Sequence, residues 1–274
     1  MPFCAYLVHG LNPVLIRFPE SWPVGGIYWY GIAYIVAFFA IYIFIFTCGR
    51  FGRLPFPRSQ VVPFLSAVAA GAVVGGRIGY ELLYDFAALM ADPLELFRIW
   101  RGGMSSHGGF VGVAVAILVH CRRNGISALA AADLIAASAP LGLFIGRIAN
   151  FVNGELYGKP STVPWAVIFP NSAPPHVPLE FVEPRHPSQL YEALLEGVLL
   201  FALCQWRFWV RPPKHSGRLC GEFLCAYAIV RIVVEFFREP DAPPIFSMSR
   251  GQFYSIFIFK LGVTLIAISC RRRR

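Results

Sequence analysis

GRIANFVNGELYG, residues Gly146 to Gly158, sets an arginine, two amides and a carboxylate at the end of a segment that otherwise reads as membrane-spanning. Charge in or beside hydrocarbon is costly, and what keeps it there is usually a site. Two further clusters answer it from elsewhere in the chain. Ser106-His107-Gly108-Gly109 lies upstream, and Arg231, Glu235 and Arg238 lie downstream. Polar groups on separate spans point to an intramembrane active site.

Composition fixes the class. The chain has 274 residues, of which 57% are hydrophobic and 14% charged, with a mean hydropathy of +0.59. Soluble domains carry about a quarter of their residues as charges, so this chain is too apolar to be one. Its 25 Gly and 22 Pro also argue against a simple coiled bundle, because both residues interrupt helices and recur in polytopic proteins. The expectation is an all-α polytopic membrane protein forming one integral membrane domain over 1–274, with 153–189 inserted as a loop or head.

A helix needs about 20 apolar residues to cross a bilayer. Seven segments qualify as candidates: Ile27–Thr47, Val61–Leu82, Gly108–Val119, Ala131–Phe151, Leu190–Val210, Cys220–Phe237 and Phe253–Ser269. The third is short, bounded by His107 and by His120-Cys121-Arg122-Arg123. Met1 to Gly26 lacks a basic stretch followed by a long apolar core, so no cleavable signal peptide is expected. Asp133, at a span entrance, reads as a helix N-cap.

The net charge of +9 would suit nucleic acid, but its distribution does not. Arg50, Arg53, Arg58, Arg122, Arg123, Arg207, Arg211, Lys214, Arg218 and the run Arg271 to Arg274 follow alternate spans, in segments without Asp or Glu. The other side mixes fewer basic residues with most of the acids. This is the positive-inside asymmetry. It puts the N-terminus outside and the C-terminus in the cytoplasm, with the terminal arginines facing anionic headgroups; no nucleic-acid partner is expected.

The Asn153–Gln189 stretch would then be an external cap, since long proline-rich loops tend to be functional or disordered, and Trp165, Phe169 and Phe181 favour a folded one. The seven cysteines are scattered without a CxxC pair or a His at ligand spacing, and read as packing residues. No HExxH, phosphate-cradling loop or dinucleotide turn occurs, so neither metal nor cofactor is expected.

In the Cys220–Phe237 span and at its end, Tyr227, Arg231, Glu235 and Arg238 fall at i, i+4, i+8 and i+11, on one helical face. Arginine suits an anion there, because its planar fork binds phosphate oxygens bidentately and it stays charged when buried. Arg77 and Glu81 form a second i, i+4 pair, which reads as structural. His107 opens a helix, and the adjacent Gly-Gly leaves room for another group to approach the backbone. Glu155 has two readings, a site carboxylate beside Asn150 and Asn153 or a partner of Lys159 at i, i+4.

Together these motifs resemble the prolipoprotein diacylglyceryl transferases, bacterial membrane enzymes of lipoprotein maturation. The resemblance rests on the 146–158 stretch, Trp29-Tyr30-Gly31, Gly75-Gly76-Arg77-Ile78-Gly79-Tyr80, Ser106 to Gly109, Arg185 to Glu192 and Arg231 to Asp241, in that order. One position departs, where Arg250-Gly251-Gln252 stands in place of the family's usual Met-Gly-Gln. The resemblance implies transfer of the diacylglyceryl unit of phosphatidylglycerol to the lipobox cysteine thiol in a prolipoprotein signal peptide. A thioether forms and glycerol 1-phosphate leaves. It further implies a location in the bacterial inner membrane with a periplasmic N-terminus, among membrane lipids.

On that reading His107 takes the thiol proton, because the thiolate is the nucleophile. Arg147 and Arg231 then face the phosphate, whose negative charge grows as it departs. Glu235 orients Arg231, while Asn150, Asn153, Glu155, Tyr30, Tyr227 and Arg238 bind the lipid. A transporter of an anionic or lipid-like substrate is the reading from a different class. It predicts repeat symmetry, and no second copy of the 146–158 motif exists in the chain.

Overall fold

The computed structural model describes residues 6–19, 21–22, 25–98, 103–240 and 243–271, with the side chains of Leu83, Ser106 and His107 excepted. Asp241 and the terminal Arg272, Arg273 and Arg274 lie outside the described residues. The elements run in the order β1 (Leu7–Val8), β2 (Val14–Arg17), β3 (Gly26–Tyr28), α1 (Trp29–Arg50), α2 (Val61–Leu83), α3 (Phe86–Ala91), α4 (Ser106–Arg123) and α5 (Ala128–Asn153). There follow β4 (Val167–Ile168), β5 (Pro184–Arg185), α6 (Ser188–Glu192), α7 (Leu200–Gln205), α8 (Arg218–Val234) and α9 (Arg250–Arg271). A wide π turn over Ala193–Leu199 joins α6 to α7 and a second over Trp206–Val210 extends α7, making one helix, Ser188–Val210.

Five helices among the described residues are long and apolar enough to cross a membrane: Trp29–Arg50, Arg58–Leu82, Ala128–Asn153, Ser188–Val210 and Arg250–Arg271. Helices also form at the other two expected places. They fall short for a physical reason. α4 spans 18 residues and ends in His120, Arg122 and Arg123, while α8 spans 17 and contains Arg218, Glu222 and Arg231. Asp133 is not an N-cap. α5 already begins at Ala128, where the Ser127 hydroxyl accepts from the Ala130 N–H at 3.4 Å.

The chain divides into two compact units, Tyr42–Leu134 and Met1–Ile41 with Ile135–Arg274. In the Tyr42–Leu134 unit, α2 packs on α4 through glycine. A Cβ on Gly71 would meet the Gly112 carbonyl oxygen at 2.5 Å, one on Gly75 the Gly112 Cα at 2.7 Å, and one on Gly79 the Gly108 Cα at 2.6 Å. Small residues every fourth position let helices touch backbone to backbone where lipid offers no hydrophobic drive for association. Gly108, expected to leave room for an approaching group, is therefore occupied by α2. The Ser105 hydroxyl caps α4, accepting from the Gly108 N–H at 3.2 Å.

Arg77 and Glu81 pair at 2.7 Å with their side chains almost fully buried. The guanidinium also donates to the carbonyls of Glu95 at 2.5 Å, Leu96 at 3.4 Å and Gly103 at 3.2 Å. That clamps the connection between α3 and α4, which is the structural role expected of the pair.

In the larger unit, parallel pairing of β1 with β4 and antiparallel pairing of β4 with β5 tie the N-terminal segment to the 153–189 stretch. His9 is buried there. Its ring nitrogen Nε2 lies 2.7 Å from the Phe151 carbonyl oxygen. An apolar core of Ala136, Leu200, Cys204, Phe223 and Tyr227 binds α5, α7 and α8, with Cys204 serving as an apolar packing residue.

Candidate active site

The site is built where α5 meets the Ser188–Val210 helix. A Cβ on Gly197 would lie 2.6 Å from Phe144 Cβ, so the helices come close there. One turn beyond Phe144 on α5, and one residue before Gly197 on its partner, stand Arg147 and Glu196. The Arg147 Nε and Nη2 donate to Glu196 Oε2 at 3.1 and 3.0 Å. Arg147 Nη1 lies 3.0 Å from Glu192 Oε2.

α8 brings a second arginine to the same carboxylates. Arg231 Nη1 pairs with Glu192 Oε1 and stands 3.5 Å from Glu196 Oε1, while Nη2 pairs with Glu235. Arg238 Nη1 reaches Glu192 Oε1 at 3.2 Å. The expected helical face does not extend that far. α8 stops at Val234, and Arg238 arrives from the turn that follows. Tyr227, one turn before Arg231, is buried against Phe223.

Among the described residues, three arginines and three glutamates thus form one buried, formally neutral network with Glu192 at its hub. Both Glu192 and Glu196 are fully buried. Buried charges persist only when paired and hydrogen-bonded, and Glu192 meets that condition by facing Arg147, Arg231 and Arg238 at once. Neither glutamate is among the residues expected at the site. Their signal is two acids four residues apart in an otherwise apolar span.

A second cluster forms at the end of α5. The Gly154 N–H donates to Phe151 O at 3.0 Å and the Glu155 N–H to Asn150 O at 3.1 Å, with Gly154 at φ +63°. This pairing is a Schellman turn, whose left-handed position favours glycine. It folds Glu155 back onto its helix, where Oε1 accepts from Asn150 Nδ2 at 2.8 Å and from Asn153 Nδ2 at 3.3 Å. Gln189 Nε2 donates to the Glu155 carbonyl at 2.6 Å. The alternative partner, Lys159, donates instead to the Phe236 carbonyl at 3.0 Å. Tyr30 stands edge-on to Tyr34, their ring centres 5.1 Å apart. The His107 backbone is the second residue of α4, and its side chain lies outside the described residues.

Beside these clusters, His186 Nδ1 is 3.0 Å from the Tyr191 hydroxyl, which accepts from Trp165 Nε1 at 2.7 Å. Burial pushes the His186 imidazole below its ordinary pKa. Arg185 donates to the Gly158 carbonyl at 3.2 Å and to Glu239 Oε2 at 2.9 Å. These contacts tie the 157–159 turn to the segment that delivers Arg238.

The chain is similar to known proteins along nearly its whole length. A family model described as prolipoprotein diacylglyceryl transferase matches residues 17–268. The phosphatidylglycerol–prolipoprotein diacylglyceryl transferase of Sinorhizobium medicae is 45% identical over 270 residues, covering 92% of this chain and 94% of the relative. Proteins of the same name from Agrobacterium fabrum (44%, covering 91% and 92%) and Vibrio atlanticus (41%, covering 96% and 92%) align as extensively.

Proposed function

The chain belongs to the prolipoprotein diacylglyceryl transferase family, and from that premise we propose how its buried arginines serve the reaction. The protein is a membrane transferase that moves the diacylglyceryl group of phosphatidylglycerol onto prolipoproteins, the first step of lipoprotein maturation. The acceptor is the lipobox cysteine. Its sulfur attacks the glyceryl carbon that carries the phosphate; the new C–S bond forms as the C–O bond breaks, and glycerol 1-phosphate departs. The thiol proton passes to a base, and on this reading the base is His107.

Charge is what this reaction has to manage. A phosphodiester monoanion becomes a phosphate monoester dianion, because the electron pair of the breaking C–O bond stays on the departing oxygen. Fixed cations aimed at developing charge stabilise the transition state over the ground state. Arg147 and Arg231 supply them. A guanidinium carries five N–H donors, and Glu192, Glu196 and Glu235 engage only part of that set. Asn150, Asn153 and Glu155 bind headgroup hydroxyls, with Tyr30, Tyr227 and Arg238 beside them. The observation that carries this reading is the clustering of three arginines by shared, fully buried carboxylates.

The protein sits in the inner membrane with seven helices across it, α4 and α8 crossing in company with the five longer ones. The 153–189 cap and the N-terminus are periplasmic, and the basic C-terminus lies against cytoplasmic headgroups. The excess positive charge serves lipid rather than nucleic acid.

The test is transfer of labelled diacylglycerol from phosphatidylglycerol to a lipobox peptide in reconstituted membranes. Wild type should transfer and release glycerol phosphate; Arg147→Ala, and a peptide with Ser for Cys, should not. Near-normal turnover by His107→Asn would remove His107 as the base.

A further inference from the structure

The start of α9 is fixed with unusual care around a residue that bears no side chain. Ser249 and Gln252 form a reciprocal capping box: the Ser249 N–H donates to Gln252 Oε1 and the Gln252 N–H to Ser249 Oγ, both at 3.1 Å. Between them sits Gly251. Its carbonyl accepts from the Ser255 hydroxyl at 2.7 Å, which holds the backbone in place. A Cβ at this position would lie 2.5 Å from Glu235 Cδ and 3.0 Å from its Cγ. Glu235 is buried, and its Oε1 pairs with Arg231 Nη2. The Glu235 carboxylate is therefore wedged between a guanidinium and bare backbone in the first turn of α9, whose positive dipole end favours an anion.

We propose that Gly251 is a positioning residue for Arg231, acting through Glu235. Any side chain at 251 enters the space where the carboxylate sits, and Glu235 must swing away or draw Arg231 with it. This is why glycine stands here, while its neighbour Arg250 departs from the family's usual Met. The proposal rests on the reading of Arg231 as a phosphate-binding residue.

The experiment is a double-mutant cycle of Gly251→Ala and Glu235→Ala, read by Tm in detergent and by transfer from phosphatidylglycerol. In wild type, Gly251→Ala should lower Tm by at least about 2–4 °C and cut kcat by about tenfold or more, with a smaller rise in KM. In the Glu235→Ala background the same substitution should leave Tm unchanged, because the added methyl fills space that the carboxylate has left. If Gly251→Ala alone does not accumulate in membranes, accumulation of the double variant is the same result in stronger form.

Equal losses in both backgrounds, or wild-type Tm and transfer for Gly251→Ala, overturn the proposal. Wild-type transfer by Arg231→Ala would overturn the phosphate reading instead, while the Tm coupling between 251 and 235 would still stand or fall on its own.

Discussion

Arg147 and Glu196 face each other across two helices, with Nε and Nη2 of the guanidinium both donating to one carboxylate oxygen, at 3.1 and 3.0 Å. The contact orients the arginine from the Nε side of its fork. Because the Glu196 side chain is fully buried, water does not compete for it.

Arg147→Lys tests the fork against the charge. Lysine keeps a cation near Glu196 but presents a single rotatable ammonium in place of a planar donor set. Loss of one preorganised donor to a developing oxyanion costs about 10²–10³ in kcat, and transfer in reconstituted membranes should fall by that much. Tm should drop only modestly, since the ion pair survives. Wild-type rates in this variant would sink the bidentate phosphate contact.

Glu192→Gln should be the most damaging single change in the network for stability. It removes the carboxylate charge that Arg147, Arg231 and Arg238 share, and breaking a buried pair by removing one partner costs about 3–5 kcal/mol. Glu239→Gln removes a partner of Arg185 that is 45% exposed, where an ion pair contributes about 0–1 kcal/mol. Thermal unfolding of the two variants side by side checks the contrast; equal Tm losses would deny Glu192 its place as hub.

Gly75→Val probes the α2–α4 contact, read by accumulation and stability and not by transfer, because Gly75 also lies against Gly108, the neighbour of His107. The new side chain would start 2.7 Å from Gly112 Cα, so the helices must part. The expected outcome is poor membrane accumulation and a lowered Tm. Gly52→Asn is the control: a Cβ on Gly52 would meet no other part of the chain within 4 Å, and Asn accepts its left-handed φ of +67°. That variant should accumulate and unfold like wild type.

His186 should make stability fall at acid pH. Burial lowers its pKa in the folded state, so between that value and the unfolded value of about 6.5 the unfolded chain binds more protons. The stabilisation from the neutral ring is fully present above the unfolded pKa. It is lost as pH falls toward the depressed folded pKa, where the buried ring takes up a second proton. Tm measured from pH 7.5 down to 5 should decline, and His186→Gln should flatten part of that slope; an unchanged slope would assign the effect to other groups.

Much of this arrangement is legible in the sequence, and the omissions have physical causes. The helices appear where apolar runs predict them, because spanning length is a local property. Arg231 and Glu235 pair as i, i+4 spacing requires, for the same reason. Glu192 and Glu196 escape such a reading, because their partners stand on other helices and no spacing within one segment exposes the contact. Glu155 takes the asparagines over Lys159 because a left-handed glycine turns the chain back before another helical turn can form. Gly108 reads as an opening for a ligand, yet a glycine alone does not distinguish a substrate from a neighbouring helix.

The two π turns of the Ser188–Val210 helix carry a consequence for its phase. Each wide turn adds residues without adding full α-helical rotation, so the Glu192 end and the Arg207 end are set by different angular registers. Arg207 pairs with Glu222 at the far end, while Glu192 and Glu196 serve the network at the near one. Deleting a single residue from the α-helical stretch Leu200–Gln205 would rotate one end against the other by roughly 100°, the step of one α-helical residue, whereas a deletion within 193–199 is largely absorbed as the wide turn relaxes to α. This span therefore works as a fixed angular offset between its two ion-pair networks, and its length counts as much as its composition.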